Sequence, residues 1–245
     1  MSDSARGGGP GQGARTAAGP ERLAGAVAEG RDVIVFDWDG TLVDSIHAIT
    51  QAIREAARDL GLEVPSEARA RHVIGLGLQD ALRHAVPDLV PARVSEFAGR
   101  YRYHFLLAKP ADHPFEGVTE MLASLRSRSL RLAVATGKSR AGLDRSLAQT
   151  GLGEHFVTSR CADEGPPKPH PWMLASIAEQ LGVGPERMVM VGDTSHDIGM
   201  AHAFGAAAIG VVYGAHTAQA VTEAKPHAIA ASIAELASLL AARGG

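Results

Sequence analysis

The four consecutive apolar residues 33–36, Val-Ile-Val-Phe, run directly into Asp37-Trp38-Asp39-Gly40-Thr41-Leu42-Val43-Asp44-Ser45. An apolar run of this length reads as a buried strand. Ended by two carboxylates two residues apart, it puts acidic groups at the carboxyl edge of a sheet, where open α/β folds bind ligands. Such an edge points to an enzyme.

Carboxylates this close repel each other. A fold keeps them beside a buried strand when a cation, a shared proton or solvent compensates. Gly40 frees the backbone for a sharp turn, so the second acid can fold back over the strand end. The set suits a hard cation with oxygen ligands, most simply Mg²⁺. A calcium loop of the EF-hand type also opens Asp-x-Asp, but it needs Gly at its sixth position and Glu at its twelfth, and those positions hold Leu42 and Ala48.

The remaining pattern has two regimes. Residues 45–110 carry helical periodicity: Ile46, Ile49, Ile53 and Ala57 share one face, and Val94, Phe97, Tyr101 and Phe105 another. Glycine and proline breaks divide this stretch into about four helices. After Pro114, short apolar strands at 130–135, 155–159, 187–191, 207–213 and 227–230 alternate with helices, the pattern of a parallel sheet covered on both faces. The expected fold is therefore α/β, a three-layer Rossmann-like core of residues 31–44 and 114–245 with a four-helix cap, residues 45–113, inserted after the first strand. Residues 1–30, rich in Gly, Ala and Pro and without the apolar core of a secretory signal, read as a mobile tail.

Composition narrows the function classes. A formal net charge of −3 and 4% aromatic residues give no reason to expect nucleic acid or a membrane surface. No stretch approaches the ~18 apolar residues of a membrane span. The lone Cys161 forms no internal disulfide and fits a reducing, cytoplasmic setting. It reads as an ordinary small residue rather than a nucleophile.

Three later segments sit at or just after expected strand ends. Thr136-Gly137-Lys138, before a helix, is either a small phosphate cradle of hydroxyl and amides or a plain turn with a capping Thr. Lys168, in Gly165-Pro166-Pro167-Lys168-Pro169-His170-Pro171, is either a solvated lysine or an ammonium presented from a stiff loop. Gly192-Asp193-Thr194-Ser195-His196-Asp197 is either a simple turn or a second acidic strand end, with Asp197 able to hold a helix terminus.

In that order, these four segments resemble the motifs of the haloacid dehalogenase-like superfamily of phosphohydrolases, over about residues 32–214. Within it, DGTLVDS, the Gly75-Leu76-Gly77 loop and KPHP most resemble phosphoglycolate phosphatase-like members. The resemblance implies a Mg²⁺-dependent phosphatase acting on a small phosphorylated metabolite, a phosphoglycolate-like ester or a sugar phosphate, through a phospho-aspartate. Asp37 would be the nucleophile and Asp39 the general acid and base. Thr136, Gly137 and Lys168 would hold the phosphoryl oxygens. Asp37, the main-chain carbonyl of Asp39, and Asp193 would hold the metal, with Asp197 behind them.

Sister activities fit less well. Haloalkanoate dehalogenases of the superfamily lack the acid at the Asp39 position. Its hexose-phosphate mutases carry a His where this chain has Ile49, and its phosphonate hydrolases use a cap lysine, whereas residues 45–108 contain none. A pyrophosphatase or nucleotidase of the same fold, and a phosphate-metabolite binding module without turnover, stay open. Trp38, where the family commonly has an aliphatic residue, either narrows the site or packs. Arg71 and His72, with the Gly75–Gly77 loop, are either readers of an anionic leaving group such as a carboxylate or solvated cap side chains beside a loop that joins two helices.

Overall fold

The structure, a computed structural model, describes residues 30–107 and 112–241. Residues 1–29 of the expected N-terminal tail and residues 108–111 of the expected cap lie outside these residues. Six parallel strands form one sheet: β1 (Val33–Phe36), β2 (Arg131–Thr136), β3 (Phe156–Cys161), β4 (Met188–Gly192), β5 (Ala207–Val211) and β6 (Ala228–Ala230), in the order β3-β2-β1-β4-β5-β6. The chain leaves β1 for β2 on one side and returns to β4 on the other. The crevice at this reversal of direction opens at the carboxyl end of β1, where Asp37 begins.

Alternate residues of β1 supply the two sides of the core. Ile34 and Phe36 pack with α5 (Val118–Ser127), α6 (Arg140–Thr150) and α10 (Ile233–Ala241). Val33 and Val35 face α7 (Trp172–Leu181) and α8 (Ser195–Phe204), with Val221 of α9 (Ala218–Glu223) on the same side. Every β1 side chain is buried, which is why the strand is apolar throughout rather than alternating.

Between β1 and α5, among the described residues, lie four α-helices: α1 (Ile46–Asp59), α2 (Glu67–His72), α3 (Leu78–Ala85) and α4 (Val94–Leu107). They bury a third apolar cluster of their own, built on Ile46, Ile49, Ile53, Ala57, Leu82, Phe97 and Phe105. The helical spacing of those apolar residues fixes which faces of α1 and α4 meet.

Trp38 packs. It is fully buried on the α5–α6 side, its ring edge-on to Phe156 at 6.0 Å, and its Nε1–H donates to Ser146 Oγ at 2.6 Å. Ser146→Ala leaves that indole N–H buried without an acceptor. The expected cost is about 1–3 kcal/mol, a fall of a few degrees in Tm, with kcat unchanged. A fall in kcat at unchanged Tm would place Trp38 in the chemistry instead.

Candidate active site

After Phe36 the chain leaves the sheet while Asp37 N–H still bonds Val191 O at 2.8 Å. Gly40 then takes φ +79°, and the amides of Leu42 and Val43 both return to Trp38 O, at 3.0 and 3.1 Å. A side chain at Gly40 would collide with the Asp193 carboxylate, so this glycine serves both the turn and the close approach. The turn brings Asp37 and Asp39 under the end of the sheet beside β4.

There the separate segments converge. Thr41 Oγ1 and the Ala215 amide donate to the two oxygens of Asp193, at 2.8 and 2.6 Å, and hold it aimed at Asp37. Thr194 and Asp197 form a reciprocal cap on α8, so Asp197 holds the helix terminus, as its position suggested. Its other oxygen accepts from Lys168 Nζ at 2.6 Å. The same ammonium lies 2.8 Å from Asp37 Oδ1 but off the hydrogen-bonding direction, so neither Asp37 oxygen accepts a hydrogen bond. Lys168 is thus not solvated: it is buried between two carboxylates.

Carboxylate oxygens of Asp37, Asp193 and Asp197 lie within 4.8 Å of one another. Three buried acids face one ammonium. Burial raises the Asp37 pKa well above the usual range, reinforced by Asp197 and Asp193 and opposed by Lys168. Burial, then Asp197, pushes Asp193 up to about 7. Burial alone would discharge Lys168, but Asp197 and Asp37 outweigh it and keep the ammonium charged. A dication among these oxygens would balance the charge and give Asp37 Oδ2, which has no partner among the described residues, a ligand to bind, so the residues fit a hard metal ion.

Asp39 has partners that the sequence did not announce. Ser45 Oγ donates to its Oδ1, and Lys138 Nζ lies 2.9 Å from the same oxygen. Lys138 also sits 5.3 Å from the centre of the Phe105 ring, so a cap residue covers the pair. Thr136 is buried at the end of β2 and accepts from the Lys138 amide at 3.2 Å. Gly137 lies under the cap loop, where a Cβ would be 2.7 Å from Gly75 O and 2.6 Å from Leu76 O. The Gly75–Gly77 loop is therefore packed on the core.

Arg71 does not line the cavity over the acids. Its guanidinium donates to Gly214 O at 2.9 Å and Ala215 O at 3.4 Å, on the core loop whose amide holds Asp193. His72 stacks on His216 at 4.7 Å, and its carbonyl accepts from His216 Nε2 at 2.9 Å, while the Ser195 amide donates to His216 Nδ1. Burial lowers the His216 pKa, in keeping with this neutral tautomer. Arg71 and His72 fasten cap to core. Arg71→Ala is expected to lower kcat/KM about tenfold, the worth of roughly one charged hydrogen bond, and to leave the order of substrates unchanged. A changed order in an initial-rate panel would restore Arg71 as a reader of substrate.

Cys161 is buried at the end of β3, and burial pushes its thiol up to about 12, so it is no nucleophile at neutral pH. Among the described residues, no helix is long and apolar enough to cross a membrane.

Over Asp37 and Asp39 opens a cavity of about 170 Å³, enclosed by α1, the 73–81 segment and α4 of the cap and by residues 137–145 of the core. The family model described as haloacid dehalogenase-like hydrolase matches residues 34–211. The chain is 37% identical to "Probable phosphatase IndB" of Dickeya dadantii, over 84% of this chain and 92% of that protein. It is 32% identical to "Tyrosine-protein kinase PtkA" of Mycobacterium tuberculosis, over 79% of this chain and 66% of that protein. A crystal structure of a predicted phosphoglycolate phosphatase from Haemophilus somnus 129PT superposes with a TM-score of 0.76 at 26% identity, covering 86% of this chain and 98% of that one.

Proposed function

Because this chain belongs to the haloacid dehalogenase-like hydrolase family and is a phosphatase of the phosphoglycolate phosphatase-like type, we propose that it hydrolyses a small phosphate monoester through a phospho-Asp37 intermediate, with Mg²⁺ held by Asp37, Asp193 and the main-chain carbonyl of Asp39. The observation that carries this reading is the buried Asp37 carboxylate, free of hydrogen bonds, beside Asp193 and Lys168.

One Asp37 oxygen attacks phosphorus in line, the O–P bond to the leaving alkoxide breaks, and Asp39 supplies the proton that makes the alcohol. Asp39 then takes a proton from the water that attacks the phospho-aspartate, releasing phosphate and restoring the Asp37 carboxylate. Ser45 and Lys138 hold Asp39 in place for both transfers. Lys168, Thr136 and the Gly137 amide stabilise the non-bridging oxygens, and Asp197 positions Lys168. A bound Mg²⁺ supplies charge neutralisation between the anionic nucleophile and substrate. The cap, fastened through Arg71 and His72, excludes water and contacts the leaving group.

The test is phosphate release from phosphoglycolate, sugar phosphates, nucleotides and pyrophosphate, with and without Mg²⁺, against Asp37→Asn protein as the blank. Release that needs both Mg²⁺ and Asp37 supports the reading. Release from wild type no greater than from the blank would overturn it in favour of a phosphate-binding module.

A further inference from the structure

Above the acids the cavity changes character. Ile49 and Ile53 of α1, Ile74 of the cap loop, Leu78 of α3, and Tyr101 and Phe105 of α4 form its walls. The Tyr101 and Phe105 rings stack at 5.9 Å and 23°, giving one wall a flat aromatic face. Three cations also line the cavity. Lys138 is already paired with Asp39 under the Phe105 ring, and Arg102 and Arg145 are exposed. Arg71, the cap arginine best placed in sequence to read an anion, is turned onto the core carbonyls.

From this geometry we infer that the cap selects phosphate monoesters whose alcohol carries a compact apolar body of about one ring, seated against Tyr101 and Phe105, in preference to esters of short anionic alcohols such as phosphoglycolate. The inference deepens the proposed function and rests on it for the position of the phosphoryl group. Volume bounds the body at one small ring: an apolar cavity of about 150 Å³ lined by Leu, Ile and Phe admits benzene, and this one measures about 170 Å³ including the space over Asp37 and Asp39 that the phosphoryl group would take. A two-carbon carboxylate in the same space would lose its hydration to apolar walls, whereas an apolar ring leaves water at a gain.

Two readouts keep this inference separate from the phosphatase reading. The first is kcat/KM with Mg²⁺ for benzyl phosphate, hexyl phosphate, glycerol 3-phosphate and 2-phosphoglycolate. Their aliphatic or benzylic leaving alcohols avoid the activated leaving group of an aryl phosphate. The second is calorimetric binding of the non-hydrolysable 2-phenylethylphosphonate and 3-phosphonopropionate to the wild-type protein. Benzyl phosphate is expected to exceed phosphoglycolate by at least about tenfold, the worth of a well-filled apolar pocket, and phenylethylphosphonate to bind correspondingly tighter. Leu78→Arg is expected to erase that preference, and Phe105→Leu to reduce it while keeping the wall apolar. Equal or reversed preference in both readouts overturns the inference and leaves the phosphatase reading standing. Tighter binding of phenylethylphosphonate without turnover of any ester supports the apolar pocket and overturns the phosphatase reading. Unchanged preference in both variants overturns the assignment of these walls.

Discussion

Asp37→Asn protein is expected to lose about four orders of magnitude or more in kcat while melting no lower than wild type in chelator. The amide nitrogen cannot attack phosphorus as the carboxylate does, so no phospho-enzyme forms. Stability behaves differently because Asp37 is one of three mutually repelling acids around Lys168, and neither of its oxygens accepts a hydrogen bond that the substitution would break. Removing its charge loses its pairing with Lys168 but also relieves its burial as an anion and the repulsion from Asp197 and Asp193, and it leaves the Lys168–Asp197 pair intact. Mg²⁺ should raise the wild-type Tm, by mass action on the folded state, and raise that of the variant less. Phosphate release and thermal melts with and without Mg²⁺ read both halves. A variant that keeps a tenth of wild-type activity would remove Asp37 from the nucleophile's role.

Lys168→Met is expected to cost stability as well as turnover. It removes the one ammonium facing Asp37 and Asp197 and leaves buried acids without a cation. Breaking a buried pair on one side costs about 3–5 kcal/mol, which in a chain of this size lowers Tm by roughly 10 °C in chelator. Adding Asp197→Asn to Lys168→Met should recover part of that loss, since the second change removes an uncompensated charge. Turnover should fall at least about a hundredfold and should not be rescued by the double variant. An unchanged Tm in chelator would show that Lys168 does not hold these acids together.

The acids were legible because their placement is local. Residues 33–36 are apolar at every position, Asp37 follows directly, and Gly40 turns the chain within three residues, so strand, acid and turn are encoded in one segment. Asp193 at the end of β4 and Asp197 capping α8 follow from the same kind of neighbourhood. The helical spacing of Ile46, Ile49 and Ile53 likewise marked the face that α1 buries.

Partner choice was not legible. Arg71 looked like an anion reader, yet its fork closes on Gly214 and Ala215, more than 140 residues away. Trp38 had two readings until Ser146, 108 residues on, supplied its acceptor. Lys138 and Phe105 gather around Asp39 and its neighbour Ser45 from a distant part of the core and from the cap, with no shared pattern to announce them.

The sequence by itself determined the parallel sheet, the inserted helices and the four strand-end segments, because hydrophobic period, glycine turns and helix caps act over a few residues. Only the tertiary structure decided that Lys168 lies between two carboxylates, that Arg71 bonds the carbonyls of Gly214 and Ala215, and that a cavity with apolar walls on the cap side stands over the acids. Those outcomes depend on which side chains meet after cap and core close, and long-range packing sets that geometry at the scale of single hydrogen bonds.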